Sequence, residues 1–188
     1  MGKLIYSAIC SLDGYVEDPT GDFQWAAPDE QVFRAVIDLE RPIGTYLYGR
    51  RMYETMRYWQ DTDSTRDSAA EAEFGAIWRA ADKIVFSRTL TSVQTPKTAI
   101  VTAFDPDGVR AMKAASDSDL SVGGSDLAGQ ALSAGLVDEV HLYLAPLTVG
   151  GGKPVFPHGV RTDLDLVDVR RFRGGSVELH YRCGDSLR

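Results

Sequence analysis

Cysteine is nearly absent from this chain of 188 residues: only Cys10 and Cys183 are present, each inside an alternating apolar run. Two such thiols make no disulfide framework and point to a reducing cytoplasm. Histidine is almost as scarce. His141, His158 and His180 are scattered without ligand spacing, so no zinc or other metal site is expected. Positive charge is in deficit, with 20 Lys and Arg against 27 Asp and Glu and a net charge of -7. That balance argues against nucleic acid or an anionic membrane as partner. Long hydrophobic runs are missing too. The stretch Leu4 to Cys10 is too short for a secretory signal, and nothing reaches membrane-spanning length.

What is present suits one core. Apolar residues make up 44% of the sequence, and no internal repeat or long linker divides it, so residues 1–188 read as a single domain. Leu4 to Cys10 reads as a strand, followed by a polar loop from Asp13 to Pro28. The period of Val32, Phe33, Val36 and Ile37 predicts a helix over Asp29 to Leu39. Further strands are expected at Thr45–Tyr48, Lys83–Phe86, Thr98–Thr102, Asp119–Val122 and Glu139–Ala145. Helices are expected from Arg50 to Met56, Ala69 to Ala80 and Pro106 to Ala115, the last with proline near its first turn. A Pro- and Gly-rich loop covers Pro146 to Pro157. Leu164–Phe172 and Ser176–Tyr181 alternate across Arg173-Gly174-Gly175, as an antiparallel hairpin does. Strands alternating with helices imply an α/β fold, a mainly parallel sheet with helices on both faces, closed by that hairpin.

Two junctions carry the chemistry. Val122 leads through Gly123-Gly124 into the helical pattern Ser125-Asp126-Leu127-Ala128, and Tyr48 leads through Gly49 into Arg50-Arg51-Met52-Tyr53. Glycine lets the backbone approach a ligand, and a fresh helix offers free N–H groups and a positive dipole end to an anion. Two such junctions in one small α/β domain point to a dinucleotide. The Gly- and Asp-rich loop from Asp13 to Pro28 is long for a passive connection and reads as a lid or binding loop.

In order along the chain, Ser11-Leu12-Asp13-Gly14, Trp25-x-x-Pro28, Gly49-Arg50-x-x-Tyr53-Glu54, Phe86-Ser87-Arg88, Val122-Gly123-Gly124 and Tyr143-Leu144-Ala145-Pro146 to Phe156-Pro157 resemble the dihydrofolate reductase superfamily. The likeness runs from about Leu4 to Tyr181. Gly135-Leu136-Val137-Asp138-Glu139-Val140, with Gly150-Gly151-Gly152-Lys153-Pro154-Val155-Phe156, is most similar to the reductase domain of the bifunctional deaminase–reductases of riboflavin biosynthesis. No His-x-Glu or Pro-Cys-x-x-Cys is present, so a stand-alone relative without a zinc deaminase domain is expected.

The resemblance implies a three-layer dihydrofolate reductase-like fold and NADPH as cofactor. Gly49, Arg50 and Arg51, with Ser87 and Arg88 from the next strand end, would face the phosphates and the ribose 2′-phosphate; the guanidinium fork suits that contact. Gly123, Gly124, Ser125, Asp126 and Leu127 would hold the pyrophosphate and nicotinamide ribose. Met52 stands where dihydrofolate reductases usually place Thr, and Asp126 puts an acid beside the anion site. Asp13, Gly14, Trp25, Phe33 and Lys153 would face the substrate. Glu30, or Asp29 after a one-residue slip, aligns with the acid that follows Trp-x-x-Pro in dihydrofolate reductases; as helix-start residues both could equally be cap and dipole partners. The implied reaction is NADPH-dependent reduction of a riboflavin-type pyrimidine, with dihydrofolate reduction or non-catalytic nucleotide binding as alternatives. Relatives of this branch pair through the sheet and C-terminal strands, so a homodimer is expected, one that covers the hairpin edge.

Overall fold

The computed structural model describes residues 1–63 and 65–184. One eight-stranded sheet runs through it in the order β5-β4-β3-β6-β1-β7-β10-β9. Its strands are β1 (Leu4–Ser11), β3 (Ile43–Gly49), β4 (Asp82–Phe86), β5 (Thr98–Val101), β6 (Asp119–Gly123), β7 (Glu139–Ala145), β9 (Leu164–Arg171) and β10 (Val177–Cys183). The first six in spatial order are mutually parallel, and β10 and β9 close the edge as an antiparallel pair. The expected fold class is therefore the observed one.

The helices form the outer layers. α1 (Glu30–Glu40), α2 (Arg50–Met56) and α3 (Ala69–Ala80) share one face, where Ile37, Tyr53, Phe74 and Trp78 bury against Ile5, Tyr46, Tyr48 and Val85. α4 (Pro106–Ala115) and α5 (Ser125–Ser133) cover the other, packing Val109, Leu127, Ala128 and Leu132 on Leu4, Leu47, Leu120, Val122 and Val140. Local signals set the boundaries. Asp29 caps α1 by accepting from the N–H groups of Gln31 and Val32, Ser68 and Glu71 form a capping box on α3, and Asp105 caps α4, whose first residue is Pro106.

Chain order and sheet order diverge at one place. From β1 the chain runs outward through β3, β4 and β5, then returns to insert β6 between β3 and β1 before passing on to β7. Connections reverse direction around β6. In open α/β sheets, ligands bind outside the carboxyl ends of the strands at such a point.

Two expected loops contain paired backbone. Within Asp13–Pro28 lie β2 (Tyr15–Glu17) and a 3-10 turn, Gln24–Ala26; within Pro146–Pro157 lies β8 (Lys153–Pro154), which pairs with β2 as a separate two-stranded sheet. Ser11 and Asp13 fasten this flap. The Ser11 hydroxyl accepts from Tyr15 N–H, and Asp13 accepts from the N–H groups of Val149 and Gly150 at 3.1 and 2.7 Å. The Ser11 side chain beside it, then the N–H groups of Gly150 and Val149, hold the Asp13 carboxyl below its ordinary range.

Candidate functional site

The two glycine junctions are neighbours. Tyr48 pairs with Gly123 across β3 and β6, and Gly49 pairs with Phe86 across β3 and β4. Gly49-Arg50-Arg51, Ser87-Arg88 and Gly123-Gly124-Ser125 therefore leave three adjacent strand ends on one edge of the sheet. Gly49 is the N-cap of α2 and Gly124 of α5, and neither supplies a side-chain cap. The first-turn N–H groups of both helices thus lack a side-chain acceptor from the cap residue. Each glycine has its own cause. A Cβ on Gly49 would meet nothing within 4 Å, whereas one on Gly123 would lie 2.7 Å from the Tyr48 ring and 3.2 Å from Met52 Cε. Gly124 has φ +88°, a conformation that side chains rarely adopt.

Cations surround this edge. Arg50, Arg51 and Arg88 are exposed. Arg50 reaches Glu54 one turn along at 3.4 Å, a weak exposed pair. Arg51 and Arg88 make no side-chain hydrogen bond or ion pair among the described residues. Ser87 has a local duty: its hydroxyl accepts from the N–H groups of Thr89 and Leu90 at 3.2 and 2.9 Å, ending β4 in a turn.

Asp126 does not confront the edge with a bare negative charge. Lys153 Nζ donates to it at 2.7 Å, linking α5 to β8. That pair answers the question the sequence raised about an acid at this place, and it also engages Lys153. Leu127 is 5% exposed and belongs to the core. An open cavity of about 710 Å³ begins at Ser125 and Asp126 and follows α5 past Gln130 to Phe104 and Phe156, a volume within the ordinary range of ligand sites.

A second cavity, about 190 Å³, lies between the start of α1 and the ends of β1 and β7, lined among others by Ile9, Trp25, Pro28, Asp29, Tyr143 and Pro146. Trp25 is held by its indole N–H on the Asp22 carbonyl at 2.9 Å. Asp29 reaches this space; Glu30, exposed on the first turn of α1, is not among the lining residues. Asp29 spends Oδ1 on the helix cap, and Oδ2 faces Gly174, where a Cβ would collide with it. Phe33 turns away into an aromatic cluster with Trp59 and Phe74, at 5.9 and 5.8 Å between ring centroids, which makes it a packing residue. Gly14, with φ +88°, accepts from Val155 N–H and belongs to the flap beside β8.

Several wall residues escaped the sequence reading. Tyr143 and Gly174 come from strands and a turn whose register only the sheet reveals, although the Gly174-Gly175 pair marks the turn. His141 and His180, scattered in sequence, sit directly opposite one another in the β7–β10 pairing.

Comparison with known proteins places these features in a family. Residues 2–177 match the family model of the RibD C-terminal domain. The uncharacterized protein YyaP of Bacillus subtilis (strain 168) is 28% identical over 181 residues, 95% of this chain and 94% of that protein. The diaminohydroxyphosphoribosylaminopyrimidine deaminase/5-amino-6-(5-phosphoribosylamino)uracil reductase of Thermotoga maritima superposes with a TM-score of 0.66 at 18% identity, covering 97% of this chain and 57% of that one. Dihydrofolate reductase from Enterococcus faecalis, solved with NADP(H), gives 0.58 at 15% identity over 98% of both chains, which establishes a common fold.

Proposed function

The chain belongs to the RibD C-terminal domain family, and from that premise we propose that residues 1–188 form one NADPH-dependent reductase domain acting on a small nitrogen heterocycle of the 5-amino-6-(5-phosphoribosylamino)uracil type. One observation carries the reading: two uncapped helix starts and the arginines at positions 50, 51 and 88 meet at the ends of the adjacent strands β4, β3 and β6. That arrangement fits a dinucleotide bearing an extra phosphate. Open backbone at Gly49 admits it, N–H groups at Gly124, Ser125 and Asp126 suit its pyrophosphate, and Arg51 and Arg88 are available to the 2′-phosphate. Lys153 keeps the Asp126 carboxylate from opposing it. The cofactor, when bound, supplies the hydride.

This chain's own work is to orient the substrate and exclude water. The flap of β2 and β8, fastened through Asp13, closes the carboxyl side of β1. Trp25 and Tyr143 give the smaller cavity flat apolar walls against which a heterocycle stacks. Asp29 is the one carboxylate among the described residues lining that cavity, and its Oδ2 accepts from ring or amino N–H groups. Asp29 also supports a second reading, dihydrofolate reduction, because it lines the cavity one residue before Glu30, the position that aligns with the dihydrofolate reductase acid.

Turnover separates the readings. Oxidation of NADPH by the ribosylaminouracil, with little by dihydrofolate, is the expected result. The reverse preference selects the second reading, and inertness toward both would leave a nucleotide-binding module. The protein further acts as a homodimer through its β9 edge, where Leu166, Val167 and Val169 are 56%, 45% and 51% exposed. Light scattering then gives twice the 20.6 kDa chain mass, and a mass near 20.6 kDa rejects the dimer. No helix among the described residues is long and apolar enough to cross a membrane, and the two free thiols fit a reducing compartment such as the cytoplasm.

A further inference from the structure

At the opposite end of β7 from the candidate site, several ionisable side chains meet on one face of the sheet. Alternation along β7 puts Glu139 and His141 on that face, and pairing with β10 sets His180 opposite His141. The two imidazole rings stack at 4.0 Å between centroids with 19° between planes. Both Nε2 atoms are buried and have no hydrogen-bond partner among the described residues, and His141 is only 6% exposed. Buried polar atoms are ordinarily satisfied, so two such nitrogens side by side call for a partner. Both approach the same atom, Glu139 Oε2, at 3.9 Å from His141 and 3.5 Å from His180, and all three donors lie within 4.8 Å of one another.

We propose that Glu139, His141 and His180 form a binding site for a divalent transition-metal ion of the zinc(II) class, which staples the closing strand β10 to β7. Two imidazoles and a carboxylate are a donor set that zinc accepts. With bonds of about 2.0–2.2 Å, tetrahedral donors stand about 3.4 Å apart, so the set closes by small side-chain swings. The surroundings are already arranged. Glu178 Oε1 lies 3.0 Å from His141 Nδ1, the carboxylate contact that fixes a tautomer with Nε2 free to ligate. Lys3 Nζ donates to Glu139 Oε1 at 2.8 Å, leaving Oε2 toward the histidines.

Three protein donors leave a fourth position for water. Tyr143, two residues or about 7 Å along β7 from His141, lines the smaller cavity, but Glu139, His141 and His180 are among the lining residues of neither cavity, so the ion serves the fold rather than the proposed reduction. The inference is independent of the reductase reading. Scarcity and spacing of histidine argue against a metal in the sequence; the antiparallel register, which spacing does not report, is what brings His141 and His180 together.

The test is titration of the chelator-stripped full chain with Zn²⁺ by calorimetry and with Co²⁺ by visible absorption. One equivalent is bound, and saturation raises Tm without changing NADPH affinity. His180→Ala weakens binding at least about 100-fold, and Glu178→Gln about 10- to 100-fold, the usual cost of losing an outer-sphere partner. His158→Ala leaves it unchanged. Circular dichroism verifies that each variant folds, and Glu178→Gln decides the matter if His180→Ala does not. The proposal is overturned if the folded wild type takes up no stoichiometric metal, or if Glu178→Gln and His180→Ala bind as it does; the cluster is then a charged network sharing protons.

Discussion

The junctions at Gly49 and Gly124 look alike in sequence, and their difference shows what each glycine is for. Gly49 has φ -76° and ψ 165°, ordinary extended backbone, with nothing within 4 Å of a would-be Cβ. Neither torsion nor packing demands glycine there. Gly124 has φ +88°, although a Cβ there would meet Met52 only at 3.4 Å, about ordinary contact. Here the backbone itself demands glycine, whether or not anything binds. The supports beneath them differ as well. β6 and α5 rest on apolar packing through Leu120, Val122, Ala128 and Ala131, while β3 buries its own Tyr46 and Tyr48 in the core near the buried carboxylic acid Glu40 at the end of α1.

The largest effect is expected at Gly124. Valine adds a branched side chain in a conformation reserved for glycine, at a cost of about 3 kcal/mol, which lowers Tm by roughly 6–12 °C for a chain of this size. A thermal melt measures it. A Gly124→Val protein as stable as wild type removes the torsional half of the comparison.

Glu40 sharpens the contrast in supports. It is 7% exposed, its Oε2 has no hydrogen-bond partner among the described residues, and burial pushes its carboxyl up to about 7. A group whose folded value is raised contributes stability at low pH and loses it as pH rises; here the loss falls between about 4.5 and 7 and amounts to at most about 3 kcal/mol. Denaturant melts across that window measure the slope. Glu40→Gln flattens it and stabilises the protein at pH 8, and an unchanged slope would show that β3 does not rest on a strained acid.

At Gly49 the expected change is smaller and of another kind. Gly49→Ala leaves Tm nearly untouched, because the site is roomy and its torsions are ordinary, yet the methyl group stands where the proposed cofactor would approach. Affinity for NADPH falls about tenfold, or about 1.4 kcal/mol. Normal binding by that variant would assign the junction to the fold alone.

Much of this architecture was legible in the residues. Ala69–Ala80, Pro106–Ala115 and Glu139–Ala145 coincide with α3, α4 and β7, because caps and apolar period mark their limits locally. The strands β2 and β8 were not, since each is very short and its partner lies more than a hundred residues away. The two glycine junctions could be read because glycines and arginines signal at short range, and the sheet order brings them side by side. The cap itself is local, but the packing of Asp29 Oδ2 against Gly174 could not be read, because that turn is brought there by the β9–β10 hairpin. Lys153 and Asp126 are likewise paired only by the docking of the flap against α5.

The central claim is that the carboxyl ends of β4, β3 and β6 bind a dinucleotide through its 2′-phosphate. Fluorescence titration of NADPH and NADH against wild type and Arg88→Ala tests it most directly. Wild type prefers NADPH, and Arg88→Ala loses about ten- to hundred-fold of that affinity, the value of a charge-assisted phosphate contact of about 1.5–3 kcal/mol, while NADH binding is unchanged. Equal wild-type affinities for the two cofactors, or an Arg88→Ala protein that still prefers NADPH as strongly, would contradict it.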